Sequence, residues 1–322
     1  MLNRITAIEL SNGVHIPLLG FGTYDSTDEN ELTTAVKAAI SAGYRHFDCA
    51  YFYQNEHIIG KAIREAISES NGTLKREDFF IVSKCWNNFH SKERVPLCLD
   101  ITLKRFGIEY IDLYLIHWPM GFKEGAEDIP MDENNQVIPS NVHFTETWLV
   151  MEDLVRQGKC KSIGISNFSI EQTKEILAMC KIRPVCNQVE VNPYFQNREL
   201  VEFCHSQNIR IVAYGSLRST TYTPQQNWVK PGNLVPQENP DVVSLAKKHN
   251  KAPAQIILRW LIQCNIVVIP KSVTPSRIAQ NSQIFDFELS DQDMEIFKNL
   301  EKGSRINHFE GARLHSLYPF SD

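Results

Sequence analysis

The feature that most constrains this chain is alternation. Short runs of β-branched and aromatic residues recur, and nearly every one is followed by an amphipathic helical stretch. The strand-like runs fall at 45–50, 79–85, 111–117, 162–167, 185–191, 210–215, 266–271 and 284–287. Between them, residues 55–70 place apolar side chains at 58, 59, 62, 63, 66 and 67, the spacing of one buried helix face. The stretch 29–43 ends at Gly43, a natural C-terminal cap. Further helical patterns cover 92–107, 145–158, 169–180, 198–207, 253–264 and 274–283. Strands joined through helices run parallel, because each crossover returns the chain to the same end of the sheet. Eight parallel strands can close into a barrel. An open, doubly wound sheet that binds a dinucleotide would carry a G-x-G-x-x-G turn after its first strand, and the sequence has none. The expected fold class is therefore α/β, a (β/α)8 TIM barrel forming a single domain over residues 1–322.

Residues 7–20 read as a β-hairpin turning at Asn12-Gly13, placed to plug the N-terminal mouth of such a barrel. The long gaps 118–145 and 216–240 and the irregular tail 302–322 are the places where a barrel of this kind carries functional loops. A chain of 322 residues buries enough core to need no disulfide or metal staple. Its eight cysteines (49, 85, 98, 160, 180, 186, 204 and 264) form no C-x-x-C pair and read as reduced thiols. A formal net charge of −5 with no run of like charges argues against a nucleic-acid partner. The opening residues lack a secretory apolar region, and no stretch of 18 apolar residues occurs. The expectation is a cytoplasmic monomer without a membrane partner, in which the sequons at Asn71 and Asn167 are chance matches.

In parallel barrels the chemistry sits at the C-terminal ends of the strands. Those ends carry Asp48 with Tyr53 just beyond it, then Lys84, His117, Ser166-Asn167, Gln188, Tyr214 and Lys271-Ser272. Lys84 follows an apolar run and precedes a Trp, so its ammonium needs a buried partner or loses its proton. Asp48 is that partner if the two strands are neighbours. A cationic lysine beside a phenol favours phenolate, which would lower the pKa of Tyr53 toward the working pH of a general acid. His117 can donate a hydrogen bond to a carbonyl oxygen. Each of these residues alone reads as structure: an ion pair, a satisfied histidine, a packed tyrosine. Their joint occurrence at successive strand ends points to one mouth of the barrel.

The strings GFGTY (20–24), RHFDCAYFYQNE (45–56), VSKCW (82–86), LIHWP (115–119), GISNF (164–168), NQVEVNP (187–193), AYGSL (213–217) and IPKSVTPSRIAQN (269–281) occur in order along the chain. Together they resemble the aldo-keto reductase family over essentially the whole length, in particular its aldose reductase-like and hydroxysteroid dehydrogenase-like members. The resemblance implies a catalytic tetrad of Asp48, Tyr53, Lys84 and His117. Hydride would leave C4 of a reduced nicotinamide for the substrate carbonyl carbon while Tyr53 protonates the oxygen, with the protein supplying position and electrostatics. It also implies NADPH as cofactor. Ser166, Asn167 and Gln188 would bind the carboxamide and Tyr214 would stack on the nicotinamide. Lys271, Ser272 and Arg277 would grip the 2′-phosphate, which suits a cationic pair beside a hydroxyl. Gln280 and Asn281 would meet the adenine. Thr23, Tyr24, Asp48, Gly215, Ser216, Leu217, Ala254, Val273 and Thr274 complete the implied cofactor set.

The implied substrate pocket comprises Tyr24, Tyr53, Trp86, His117, Trp118, Ile129 and Trp228, with the C-terminal tail as a lid. An aromatic pocket with few polar groups suits hydrophobic aldehydes or ketones. The sequence departs from the family pattern at Tyr24, where aldose reductase-like members carry Trp, and at Ile129, where some carry an aromatic residue. Both leave room for bulkier, steroid-like ketones. GSLRS follows Tyr214 where many members have SPLGS, so Arg218 bears on cofactor closure, and Gln280 stands where many have Glu. The competing reading is a non-catalytic NADPH-binding structural or regulatory subunit, against which the intact tetrad argues. A metal-dependent barrel would need Asp, Glu and His clustered at strand ends, where only Asp48 and His117 occur, so no metal site is expected.

Overall fold

The computed structural model describes residues 5–218 and 235–320. Its first elements are the expected hairpin, β1 (Ala7–Glu9) and β2 (His15–Pro17), antiparallel with Ile8 opposite Ile16. Gly13 supplies the turn with φ of +85°. Asn12 Nδ2 donates to Ser162 Oγ at 2.9 Å. Ser162 lies near the start of β7 (Cys160–Ser166), so the hairpin lies against the N-terminal end of the barrel strands.

Eight parallel strands follow: β3 (Phe21–Gly22), β4 (His46–Asp48), β5 (Phe80–Cys85), β6 (Ile111–Ile116), β7, β8 (Cys186–Glu190), β9 (Arg210–Tyr214) and β10 (Ile266–Val268). Each pairs with its neighbours in chain order. The sheet closes on itself where Leu19 bridges Val268 and Gly22 bridges Lys271, with Gly20 N donating to Val268 O at 2.8 Å. The barrel forms because its middle strands are apolar on both faces: every residue of β5 and β6 is buried, as a strand wrapped by helices requires.

The helices are α1 (Glu29–Ser41), α2 (Glu56–Glu69), α3 (Arg94–Phe106), α4 (Phe144–Arg156), α5 (Ile170–Met179), α6 (Arg198–Ser206), α7 (Pro240–His249), α8 (Pro253–Gln263), α9 (Pro275–Asn281) and α10 (Asp291–Lys298). Local signals start several of them. Asp28 accepts from Glu31 N at 2.8 Å ahead of α1, and Ser169 with Gln172 forms a reciprocal cap on α5. No helix among the described residues is long and apolar enough to cross a membrane.

Two strand expectations are corrected. Residues 284–287 form no strand. Their alternating pattern is instead satisfied by lying across the outer helices, where Arg259 of α8 donates to Ile284 O at 3.2 Å and Lys251 pairs with Asp286 at 2.7 Å. The missing eighth strand is β3, whose two residues are too short and too glycine-rich to show a period. A Cβ on Gly22 would stand 2.6 Å from Ile269 O, so the closing seam demands glycine there. Asp48 consequently ends the second strand of the barrel, not the first. The strand expected over 266–271 stops at Val268, three residues short of Lys271. Helices α7 and α10 were not foreseen, although Asn239-Pro240 and the Ser290/Asp293 capping box mark their starts.

Gly60 of α2 meets the end of α3 at close range, and an added Cβ would lie 2.5 Å from Phe106 O. Arg64 donates to the same carbonyl. Because backbone cannot give way as a flexible side chain can, Gly60→Ala is expected to destabilise the fold by about 1–3 kcal/mol. A urea or thermal denaturation midpoint measured beside the unsubstituted protein checks this, and an unchanged midpoint contradicts it.

Candidate active site

The strand ends converge on a cleft of about 700 Å³ at the C-terminal mouth of the barrel. At its floor Lys84 of β5 is wholly buried beside Asp48 of β4, with Nζ 2.7 Å from Asp48 Oδ1. The two strands are adjacent, as the pairing required. Lys84 Nζ also donates to Cys49 O at 2.8 Å and stands 3.2 Å from Tyr53 OH. The second Asp48 oxygen accepts from Gln188 Nε2 of β8 at 2.7 Å. Three of the ammonium's contacts and both carboxylate oxygens are thereby satisfied, which is what permits such a pair in a dry interior.

Tyr53 ends a 3₁₀ turn over Tyr51–Tyr53. That turn is held from outside the cleft: Arg105 donates to Tyr51 O at 3.1 Å and to Gln54 Oε1 at 2.7 Å. Asn55 donates to Thr23 O and Ser26 O, tying the turn to the loop after β3. Thr23 Oγ1 in turn donates to Asp48 O at 2.8 Å. The Tyr24 ring meets the Tyr53 ring edge-on, centroids 5.1 Å apart. One expectation is overturned here. Burial pushes the Tyr53 phenol well above its ordinary pKa, and the Asp48 charge, Tyr24 and Cys49 push the same way. The Lys84 ammonium 3.2 Å away favours phenolate, but it does not outweigh burial together with the Asp48 charge.

His117 stands just past β6, its ring 5.8 Å from that of Tyr53 and 4.9 Å from that of Trp86. Burial, then the Lys84 charge and then His90, hold its pKa well below the ordinary histidine range, so the ring is neutral. Its Nδ1 is buried without a hydrogen-bond partner among the described residues. Asn167 takes the left-handed conformation with φ of 62° just past β7. From there its amide donates to His117 O at 3.0 Å, and its Oδ1 accepts from Tyr214 OH at 2.7 Å. Ser166 Oγ donates to Gln188 O at 2.8 Å. Four strand ends are thus stitched into one polar floor.

Most of the residues singled out in the sequence line this cleft: Thr23, Tyr24, Asp48, Tyr53, Trp86, His117, Trp118, Ile129, Ser166, Asn167, Gln188, Tyr214, Gly215, Ser216, Leu217, Ala254, Lys271, Ser272, Arg277, Gln280 and Asn281. Lys84 lies beneath the floor. Val273 and Thr274, between Ser272 and the start of α9, are not among the lining residues. Trp228 lies outside the described residues. One end of the cleft is aromatic. Trp86 stacks on Phe52 at 3.8 Å and donates Nε1 to Asp128 O at 2.6 Å, beside Ile129. Trp118 packs edge-on to Phe309 at 5.4 Å. The other end carries Lys271, whose Nζ reaches Asp25 O at 3.2 Å, and the exposed Arg277 of α9. Lining residues that the sequence did not single out include Phe52, Asn307, Ile306 and Phe309. Phe52 sits inside the YFY string next to Tyr53, but nothing in an irregular tail marks which of its residues turn inward. No group of three or more His, Cys, Asp or Glu that could hold a metal occurs among the described residues.

At one mouth of a parallel barrel, the buried Asp48–Lys84 pair beside the Tyr53 hydroxyl and the His117 ring brings together groups able to donate a proton or a hydrogen bond to a bound molecule. The model of the Aldo/keto reductase family matches residues 18–302, and the chain belongs to that family. It is an oxidoreductase that acts on carbonyl and alcohol groups. It is 44% identical over 299 residues to aldo-keto reductase family 1 member A1-A of Danio rerio, covering 93% of this chain and 90% of that one. It is 43% identical to estradiol 17 beta-dehydrogenase 5 of Mus musculus, covering 100% and 99%. The solved aldose reductase of Schistosoma japonicum superposes with a TM-score of 0.89 at 40% identity, covering 98% of this chain and 99% of that one.

Burial has a measurable consequence for three histidines. It holds His46 down to about 4 and His90 down to about 3, and it holds His117 well below its usual range. An unfolded histidine titrates near about 6.5, so below that pH the unfolded chain binds protons that the folded chain refuses. Stability present above that pH is therefore lost as pH falls toward the folded values. Between about pH 7 and about pH 5 each of these histidines is expected to lower the unfolding free energy by up to about 1.4 kcal/mol per pH unit. Urea midpoints across that range test this, and a midpoint that stays level on acidification contradicts it.

Proposed function

We propose that this chain uses NADPH to reduce hydrophobic aldehydes and bulky, steroid-like ketones to alcohols, with Tyr53 as proton donor. The observation that carries this reading is the Tyr53 hydroxyl 3.2 Å from Lys84 Nζ, itself 2.7 Å from Asp48. This group lies at the floor of a cleft with one aromatic and one cationic end.

The donor set fits a nicotinamide dinucleotide. Asn167, Ser166 and Gln188 gather amide and hydroxyl groups at the floor beside the Tyr214 ring, where a carboxamide would bind. Arg277 is exposed and makes no hydrogen bond among the described residues, and with Lys271 and Ser272 it would hold a 2′-phosphate. When bound, the reduced nicotinamide supplies the hydride. Tyr53 gives its proton to the carbonyl oxygen as charge develops there. Lys84 stabilises the phenolate left behind, and Asp48 keeps Lys84 in place. Neutral His117 donates a hydrogen bond that orients the same oxygen. The walls formed by Tyr24, Phe52, Trp86, Trp118 and Phe309 offer flat apolar surface, in keeping with a substrate as broad as the one in the name of the mouse relative. A purely structural or regulatory role has no observation in its favour.

Loss of nicotinamide absorbance with NADPH and a panel of carbonyls (an aromatic aldehyde, an aldose and a ketosteroid) tests the reading. Tyr53→Phe is expected to lower kcat by about 10²–10⁴-fold, the usual worth of a positioned general acid. Undiminished turnover in Tyr53→Phe would rule out its role as donor. Arg277→Met should weaken NADPH binding by about tenfold to a hundredfold, the loss of one charge-assisted contact, while NADH binding changes little. Equal losses for both cofactors, read by fluorescence titration, would place the 2′-phosphate elsewhere.

A further inference from the structure

Glu190 ends β8, two residues beyond Gln188, and is 1% exposed. It does not line the cleft, and the chemistry described above makes no use of it. Its carboxylate reaches across 116 residues of sequence to the C-terminal segment. Oε1 accepts from Ile306 N at 3.1 Å and from Asn192 Nδ2 at 3.1 Å. Oε2 accepts from Ile306 N at 3.1 Å, Asn307 N at 2.9 Å and Asn307 Nδ2 at 3.1 Å. A buried carboxylate is costly unless N–H groups converge on it, and both oxygens here accept from one short stretch of chain, with Asn192 adding a further donor to Oε1.

That stretch forms a wall of the cleft. Ile306 and Asn307 line it directly, and Phe309 packs its ring against Trp118 at 5.4 Å and Trp86 at 6.3 Å. Phe309 takes a left-handed φ of 51°, a conformation that a non-glycine residue keeps only where its surroundings over-determine it. A second tie lies just upstream, where Arg218 Nη2 donates to Ser304 O at 2.6 Å and to Ser304 Oγ at 3.1 Å.

We propose that Glu190 is a positioning residue for substrate selection. Its carboxylate, presented by the strand that also carries Gln188, fixes residues 306–309 as the aromatic wall and so sets the preference for bulky over small carbonyls. The inference rests on the reductase reading above. A substrate that reaches the wall gains from finding it already ordered, whereas one too small to touch it gains nothing.

Glu190→Gln preserves shape but turns one acceptor oxygen into an NH₂ that faces the amide donors of Ile306 and Asn307. The experiment compares unsubstituted protein, Glu190→Gln and Glu190→Asp by steady-state kinetics, NADPH titration and limited trypsin cleavage after Arg305 and Arg313. In Glu190→Gln the ratio of kcat/KM for a ketosteroid to that for a small aldehyde should fall by about tenfold, mainly through KM. Cleavage at the two arginines should quicken by about tenfold, and NADPH affinity should hold within about twofold. Glu190→Asp, which keeps both acceptors on a shorter stem, should recover part of the ratio. An unchanged ratio with unchanged cleavage in both variants overturns the proposal. So does a parallel loss for both substrates and NADPH together with a lowered melting temperature, which marks a merely structural role. If the unsubstituted protein reduces no carbonyl, the reductase reading itself fails; the cleavage rates still decide whether Glu190 holds the segment, and equal rates then overturn that too.

Discussion

The buried contact between Asp48 and Lys84 is the constraint around which the rest is arranged. Two opposite charges removed from water repel the fold unless every remaining lone pair and proton finds a partner. Here the partners come from three elements: the Cys49 carbonyl, the Gln188 amide of β8 and the Tyr53 hydroxyl on the turn after β4. A hydroxyl that completes the coordination of a lysine is also aimed into the cleft. The solution to a solvation problem and the placement of a proton donor are therefore the same geometry.

A parallel barrel makes that geometry accessible. Every strand delivers its last residue to the same mouth, so groups distant in sequence meet without long loops reaching inward. The polar floor uses β4, β5, β6, β7, β8 and β9, each contributing one or two side chains. The outer supports are less visible and equally specific: Arg105 braces the Tyr51–Tyr53 turn from α3, and Asn55 fixes the loop after β3.

Much of this was legible in the sequence, and for a physical reason. Strands buried on both faces read as apolar runs, and a polar residue that ends such a run, as Lys84 and His117 do, stands out. The chemistry was legible for the same reason that it works. Four things were not. β3 is two residues long with a glycine, so no period could form. The stretch 284–287 alternates like a strand because one side of an extended segment rests on helices, and alternation alone does not say what covers it. The Tyr53 pKa stands above its ordinary value because dehydration of the ring, joined by the Asp48 charge, outweighs the Lys84 ammonium, and the extent of dehydration is not written in the sequence. The inward-facing tail residues carry no periodicity at all; contacts with distant elements, such as those of Glu190 with Ile306 and Asn307, place them.

The seam between β3 and β10 has a kinetic meaning. β5 and β6 share four register pairs, while β3 meets the far edge of the sheet only through isolated bridges at Leu19 and Gly22. Three backbone hydrogen bonds close it, from Gly20 N to Val268 O, Gly22 N to Pro270 O and Val268 N to Leu18 O, so an opening of the ring at this gap would leave the middle strands shut. The loop carrying Thr23 and Tyr24 leaves one lip of the gap, and Lys271 and Ser272 leave the other. Amide exchange at the seam is thereby a native readout of whatever spans those two lips, because a molecule gripping both sides slows the opening that lets solvent in.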